Sequence, residues 1–123
     1  MNVIETKNAP GAIGPYSQAI VHGGLLFTSG QIAINPASGQ VEADTIEGQT
    51  EQVMQNLAAL LEEAGASFDS VIKTTCFLSD MADFAAFNAI YGAYFVSKPA
   101  RSCVAAKQLP KNVLVEVELI AAV

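Results

Sequence analysis

The chain has 123 residues, enough for one hydrophobic core and too few for two independent ones, so residues 1–123 are read as a single domain. Six basic residues against twelve acidic ones leave a net charge of −6, which argues against a general nucleic-acid binder because phosphate-backbone affinity comes from clustered Lys and Arg. With 51% hydrophobic and 15% charged residues, the chain is apolar for its size and is expected to hide surface against copies of itself.

Gln18 to His22, Gly23-Gly24 and Leu25 to Ser29 read as a hairpin, since paired glycines supply the positive φ angles of a tight turn. Asn35-Pro36-Ala37-Ser38-Gly39 reads as a second turn. Val53, Leu57, Leu60, Leu61 and Ala64 recur at helical spacing and leave Glu51, Gln55, Glu62 and Glu63 for solvent. Asp44 and Glu47 have the spacing of a capping box at its start, and Gly65 marks its stop. Val71 to Leu78 is rich in β-branched and aromatic residues and predicts a strand. A second helix is predicted from near Asp80, with Phe84, Phe87, Tyr91 and Tyr94 on one stripe.

Two final strands, about Arg101 to Lys107 and Val113 to Ala121, are predicted to form a hairpin through Pro110. In the last one Val113, Val115, Val117 and Leu119 share a face, while Leu114 and Ile120 share the other with Glu116 and Glu118. A strand apolar on both faces is normally covered on both. The fold class that follows is α+β: a mixed sheet with two helices on one face and a subunit contact on the other.

No stretch approaches the roughly 18 apolar residues of a membrane helix and the N-terminus lacks a leader pattern, so a cytoplasmic location is expected. Cys76 and Cys103 fit neither a disulfide framework nor a metal motif, and with His22 the sole histidine no metal site is expected.

Four of the six basic residues, Lys98, Arg101, Lys107 and Lys111, fall near the C-terminus, a concentration suited to a small anion. Arg101, the sole arginine, stands among small and apolar residues. An ordinary surface ion pair is one reading, but a preorganised guanidinium fork in such surroundings calls for an anion, and a ligand carboxylate is favoured. Glu116 lies in a strand of valines and leucines, where a carboxylate has to be paired or wet. It reads either as an interface salt bridge with Lys107 or Lys111 or as a group that positions a water, and Glu118 has the same facing. Whether Arg101 and Glu116 share a face turns on the register of the last two strands. Asn88, on the apolar stripe of the second helix, either ties a loop or contacts a ligand. Cys103, without a base nearby, reads as structural.

Asn8-Ala9-Pro10, Ile13-Gly14-Pro15-Tyr16-Ser17-Gln18, Thr28-Ser29-Gly30-Gln31-Ile32, Pro99-Ala100-Arg101-Ser102-Cys103-Val104, Leu109-Pro110-Lys111 and the run Val115 to Glu118 resemble the RidA (YjgF) family almost from end to end. The Pro-Ala-Arg-Ser-Cys-Val segment is the most specific of these. The resemblance implies a chorismate-mutase-like α+β fold, a homotrimer with ligand clefts between subunits, and cofactor-free hydrolysis of 2-aminoacrylate-type enamines and their imines to 2-oxo acids and ammonia. It further implies that Arg101 grips the substrate carboxylate and Glu116 orients the attacking water. Tyr16, Ser29, Gly30, Phe84, Asn88 and Cys103 match residues that line the cleft, Gly30 and Cys103 chiefly through backbone groups. The connection Phe95 to Lys98 is shorter than in many relatives, which bears on the cleft mouth. Two rival functions stand beside this one: a regulatory module that binds 2-oxo acids, and an endoribonuclease, which the acidity and the lack of a histidine pair disfavour.

Overall fold

The computed structural model describes residues 1–123. The N-terminal strands are β1 (Asn2–Ile4), β2 (Ala19–His22) and β3 (Leu25–Thr28), paired antiparallel in that order. His22 faces Leu25 across a two-residue turn in which Gly23 and Gly24 have φ of 62° and 77°, a conformation that side-chain-bearing residues resist. The Asn35–Gly39 turn closes a small separate hairpin of β4 (Ile34–Asn35) and β5 (Gln40–Val41). There the Asn35 side chain accepts from the Ala37 amide at 2.9 Å.

Helix α1 (Ile46–Glu63) buries Val53, Leu57, Leu60 and Leu61, the residues whose spacing predicted it. Its cap is Thr45, whose hydroxyl accepts from the Gly48 amide at 3.0 Å, and not Asp44. The helix starts one residue later than the Asp-x-x-Glu spacing suggests, which leaves Glu47 in the first turn, where its charge opposes the positive end of the helix. At the other end Gly65, with φ of 75°, donates to Glu62 while Ala66 reaches back to Leu61, the paired bonds that satisfy the last carbonyls.

Strand β6 (Val71–Leu78) leads through a short turn capped by Asp80 into α2 (Phe84–Tyr94), and the chain then returns as β7 (Ala100–Ala105). β7 runs parallel to β6, which is why a helix has to intervene between them. The last strand, β8 (Val115–Ala122), does not form a hairpin with β7. It inserts between β3 and β6, antiparallel to both, so the six-stranded order is β1-β2-β3-β8-β6-β7. The hairpin expectation failed because Pro110 to Asn112 turns the chain away from β7, with Lys111 and Asn112 held at φ of 55° and 53°.

Both helices cover one face of the sheet, where Val115, Val117, Leu119 and Ala121 of β8 join Cys76, Leu78, Leu57, Phe87 and Tyr91 in a single core cluster. The other face is open. Pairing aligns Val3, Ile20, Phe27, Ile120 and Lys73 in one row across it, with Glu118 beside Thr75 and Glu116 beside Phe77 in the next rows. No helix of the chain is long and apolar enough to cross a membrane.

Three buried carboxamides fasten the loops to this frame. Gln18 accepts from the Thr6 amide at 2.7 Å and donates to the carbonyls of Thr6, Ala9 and Pro10 at 3.0, 3.2 and 2.8 Å. Asn56 of α1 donates to the carbonyls of Ile32 and Ile34, each at 3.0 Å. Gln49 donates to Ala43 and accepts from the Leu114 amide, which sets the entry to β8. Replacing Gln18 with Leu keeps the bulk but strips these loop groups of their partner. It should lower unfolding stability by about 1–3 kcal/mol, read as a fall in urea midpoint without a change in slope.

Candidate functional site

A cavity of about 340 Å³ opens beside β8, and it gathers Tyr16, Ser29, Gly30 and Glu116 from three separate stretches of sequence. The backbone explains the meeting. Gln31 and Val117 exchange both amide-to-carbonyl bonds, at 2.8 and 3.1 Å, so the segment after β3 lies against β8 and places Gly30 next to Glu116. The approach is so close that a Cβ at residue 30 would collide with the Glu116 carboxylate oxygen, so glycine there is what lets that side chain hold its place. Ser29 is held by its amide on the Gln18 carbonyl and its hydroxyl on the Ser17 carbonyl at 2.6 Å. Burial pushes the Glu116 carboxyl above its ordinary value of 4.5, and the neighbouring charge of Glu118 adds to the rise. A half-buried carboxyl with a raised pKa at a hollow is suited to taking or orienting a proton.

Arg101 occupies a different place. It projects from β7 toward α2, donates from Nη1 to the Asn88 Oδ1 at 2.7 Å, and lies 4.8 Å from the Tyr91 ring centre and 5.4 Å from that of Phe84. The partner is a neutral amide, and the guanidinium charge also bears on the thiols of Cys76 and Cys103 and on the Tyr91 hydroxyl. The Tyr91 hydroxyl pairs with that of buried Thr74 at 2.6 Å, so the ring beneath the guanidinium is itself fixed. Phe84, Asn88 and Arg101 therefore form one cluster. Cys103 sits two residues on with its thiol pushed up by burial, and Cys76, its register partner on β6, is pushed up to about 12. Neither thiol is ionised near neutrality, the opposite of what a nucleophile requires.

Arg101 is level with Thr74 of β6 and Leu119 of β8, a row that faces the helices, whereas Glu116 is level with Phe77 on the open face. In one chain the two residues are thus on opposite faces and two strands apart, and Arg101 lines none of the five cavities. Several cavity residues were not singled out as site residues by the sequence: Pro10, Ile13 and Ile32, which lie inside the family-like segments, and Ile34, which lies outside them. Within the chain no group of three His, Cys, Asp or Glu side chains is placed to hold a metal ion.

A helix-backed mixed sheet with an open face, a carboxyl-bearing cavity on one side and a guanidinium on the other defines a small α+β protein with a candidate site. The family model described as Endoribonuclease L-PSP matches residues 6–123, and the chain belongs to this family, also called RidA or YjgF. It is 56% identical over 100% of its length to a Lactococcus lactis protein, AldR, whose name marks it as a candidate regulator, and covers 98% of that protein. It is 47% identical to the 2-iminobutanoate/2-iminopropanoate deaminase of Escherichia coli, over 96% of this chain and 94% of that one. The crystal structure of E. coli TdcF with bound serine superposes with a TM-score of 0.95 at 42% identity, covering 100% of this chain and 99% of TdcF.

The raised Glu116 pKa makes a stability prediction. A carboxyl that binds its proton more tightly in the folded state stabilises the fold below the unfolded value near 4.5 and loses that contribution as pH rises through the folded value. Glu116→Gln should therefore melt at a higher temperature than the native protein at pH 7. Scans repeated toward pH 4 should show the gap closing.

Proposed function

We propose that this protein hydrolyses small 2-imino acids, in equilibrium with their enamines, to 2-oxo acids and ammonia, in sites completed between copies of the chain. The observation that carries the reading is the Arg101 guanidinium, oriented by Asn88 and aromatic rings but left without a carboxylate. A fork so held is prepared for a ligand carboxylate, a contact worth about 1.5–3 kcal/mol. Serine, the molecule bound by TdcF, carries the same group.

Because Glu116 lies on the opposite face of its own sheet, the Arg101 that serves it comes from a neighbouring copy. The open face, with Phe27 40% exposed and Val104 51% exposed, supplies apolar surface for that contact. A closed ring repeats one such head-to-tail contact, and a homotrimer is the assembly proposed.

In the reaction Arg101 fixes the carboxylate, and Glu116 holds a water against the imine carbon and takes its proton as the carbon–oxygen bond forms. The resulting carbinolamine collapses, the proton passes to nitrogen, and ammonia leaves with the carbonyl formed. One imine and one water become one 2-oxo acid and one ammonia, so the balance calls for no oxidant and no external group. Tyr16, Ser29 and Gly30 border the reacting centre, Gly30 by letting the carboxylate approach and Ser29 by holding the loop. Phe84 and Asn88 orient the guanidinium, and Cys103 contributes backbone on the β7 edge, where alternate groups are free of β6.

The likeness to AldR favours a second reading, in which the same site senses a 2-oxo acid for a regulatory partner. An RNA-cleaving reading has the family description behind it but no histidine at the cavity, since His22 stands exposed at the end of β2, outside it.

The test generates 2-aminoacrylate with a serine dehydratase and follows pyruvate release. Native protein should accelerate release, and Arg101→Ala and Glu116→Gln should each abolish the acceleration. Mixing the two variants under conditions that let subunits exchange should restore roughly a quarter of the sites, because a random pairing supplies the intact arginine and the intact glutamate from different chains that often. No recovery would place both residues in one chain's site and defeat the shared-site reading; binding of 2-oxo acids without acceleration would select the sensor. Gly30→Ala should cut the rate on the order of 100-fold by displacing the carboxylate, with the melting temperature little changed.

A further inference from the structure

The groups that orient Arg101 belong to its own chain. Phe84, Asn88 and Tyr91 recur at helical spacing and form one stripe of α2 against the guanidinium. The Asn88 bond fixes one nitrogen of the fork, but the plane of the fork can still turn about that bond. What fixes the plane is a ring face, and Tyr91 supplies the nearer one, 4.8 Å from the guanidinium carbon.

Tyr91 is itself clamped. Phe95 stacks on it with ring centres 4.3 Å apart and planes 27° from parallel, and Phe87 lies 5.5 Å away. Apolar contacts of this kind let a ring slide in its own plane, so its direction has to come from the hydroxyl, which meets Thr74 Oγ1 at 2.6 Å. Thr74 is fully buried and is the β6 residue in register with Arg101. One threonine thus neighbours the arginine in the sheet and also fastens the ring that flanks its guanidinium. The Cys76 thiol, two residues along β6, donates to the same Thr74 oxygen at 3.8 Å, and burial, which pushes that thiol up to about 12, keeps the proton on it. Burial also pushes the Tyr91 hydroxyl above its ordinary value, so the ring stays neutral. A phenolate there would compete with a ligand for the guanidinium.

We propose that Thr74 is a positioning residue for the ligand-binding arginine: through the Tyr91 hydroxyl it fixes the ring that sets the plane of the Arg101 fork. The proposal rests on the reading of Arg101 as the carboxylate anchor. Thr74 touches no reacting atom, and its effect is carried entirely by Tyr91.

The test compares calorimetric binding of pyruvate, thermal unfolding and imine hydrolysis in the native protein and four variants. Thr74→Val and Tyr91→Phe should each weaken pyruvate binding on the order of 5-fold, because either one removes the hydroxyl pair. Each also leaves a buried hydroxyl without its partner and should melt at a lower temperature. The double variant Thr74→Val/Tyr91→Phe removes both hydroxyls, so its melting temperature should recover toward the native value while binding stays about 5-fold weak, a split that a purely structural bond would not produce. Thr74→Ser keeps the hydroxyl and should bind within about twofold of the native protein. In hydrolysis the loss should fall mainly on KM, since the carboxylate contact is made both before and during the reaction. Native affinity in Thr74→Val, or binding that recovers together with stability in the double variant, would overturn the positioning role and leave Arg101 as the anchor. If the native protein binds no 2-oxo acid, the anchor reading and the role that depends on it both fall.

Discussion

Strand β8 is the constraint on which the remaining structure depends. It lies between β3 and β6, buries Val115, Val117, Leu119 and Ala121 under the helices, and turns Glu116, Glu118 and Ile120 to the open face. A central strand has no edge to expose, so its carboxylates cannot retreat to the periphery; they stand in the middle of a surface whose other members include Phe27, Phe77 and Ile120. The same placement raises the Glu116 pKa and puts that group within reach of the loop after β3.

The two charged groups of the proposed site are prepared by opposite means. Glu116 is accommodated by omission, since the missing side chain of Gly30 leaves space for its carboxylate. Arg101 is held by addition: the Asn88 amide takes one donor, and the Tyr91 and Phe84 rings flank the cation. Rings and a neutral amide orient a guanidinium without neutralising it, whereas a carboxylate in the place of Asn88 would occupy the fork that the ligand needs.

Much of the fold was readable in the sequence because its signals are local. The paired glycines at 23 and 24, the helical spacing of Val53 to Leu61 and the β-branched run from Val71 are each decided within a few residues, and each element stands where these signals put it. What was not readable depends on distant pairing. Ala100 and Val115 begin successive strands in sequence, yet β6 comes between those strands, and nothing in either segment reveals it. The capping assignment erred for a smaller reason: Asp44 and Thr45 are both capping types one residue apart, and φ and ψ choose between them. Arg101, Glu116 and Asn88 stood out as candidates by being unusual types in apolar runs, whereas Tyr16, Ser29, Gly30 and Phe84 entered only through the family resemblance, and the division of the candidates between two faces followed only from register. Pro10, Ile13 and Ile32 lie in family-like segments and Ile34 does not, but their place on the cavity wall was not legible, because isoleucines in short loops look the same whether they pack inward or line a hollow.

The position of β8 also has a meaning for biosynthesis. β8 follows both of its partners in the chain and must enter the middle of the sheet between them, and its pairing ranges back to Leu25, which meets Ala122. A nascent chain can form its hairpin and its helices as they emerge, but β3 and β6 have no common neighbour until β8 has been made. Until then both strands present bare edges, which makes the synthesis of β8, and not any earlier stage of elongation, the point at which the sheet commits to its native topology.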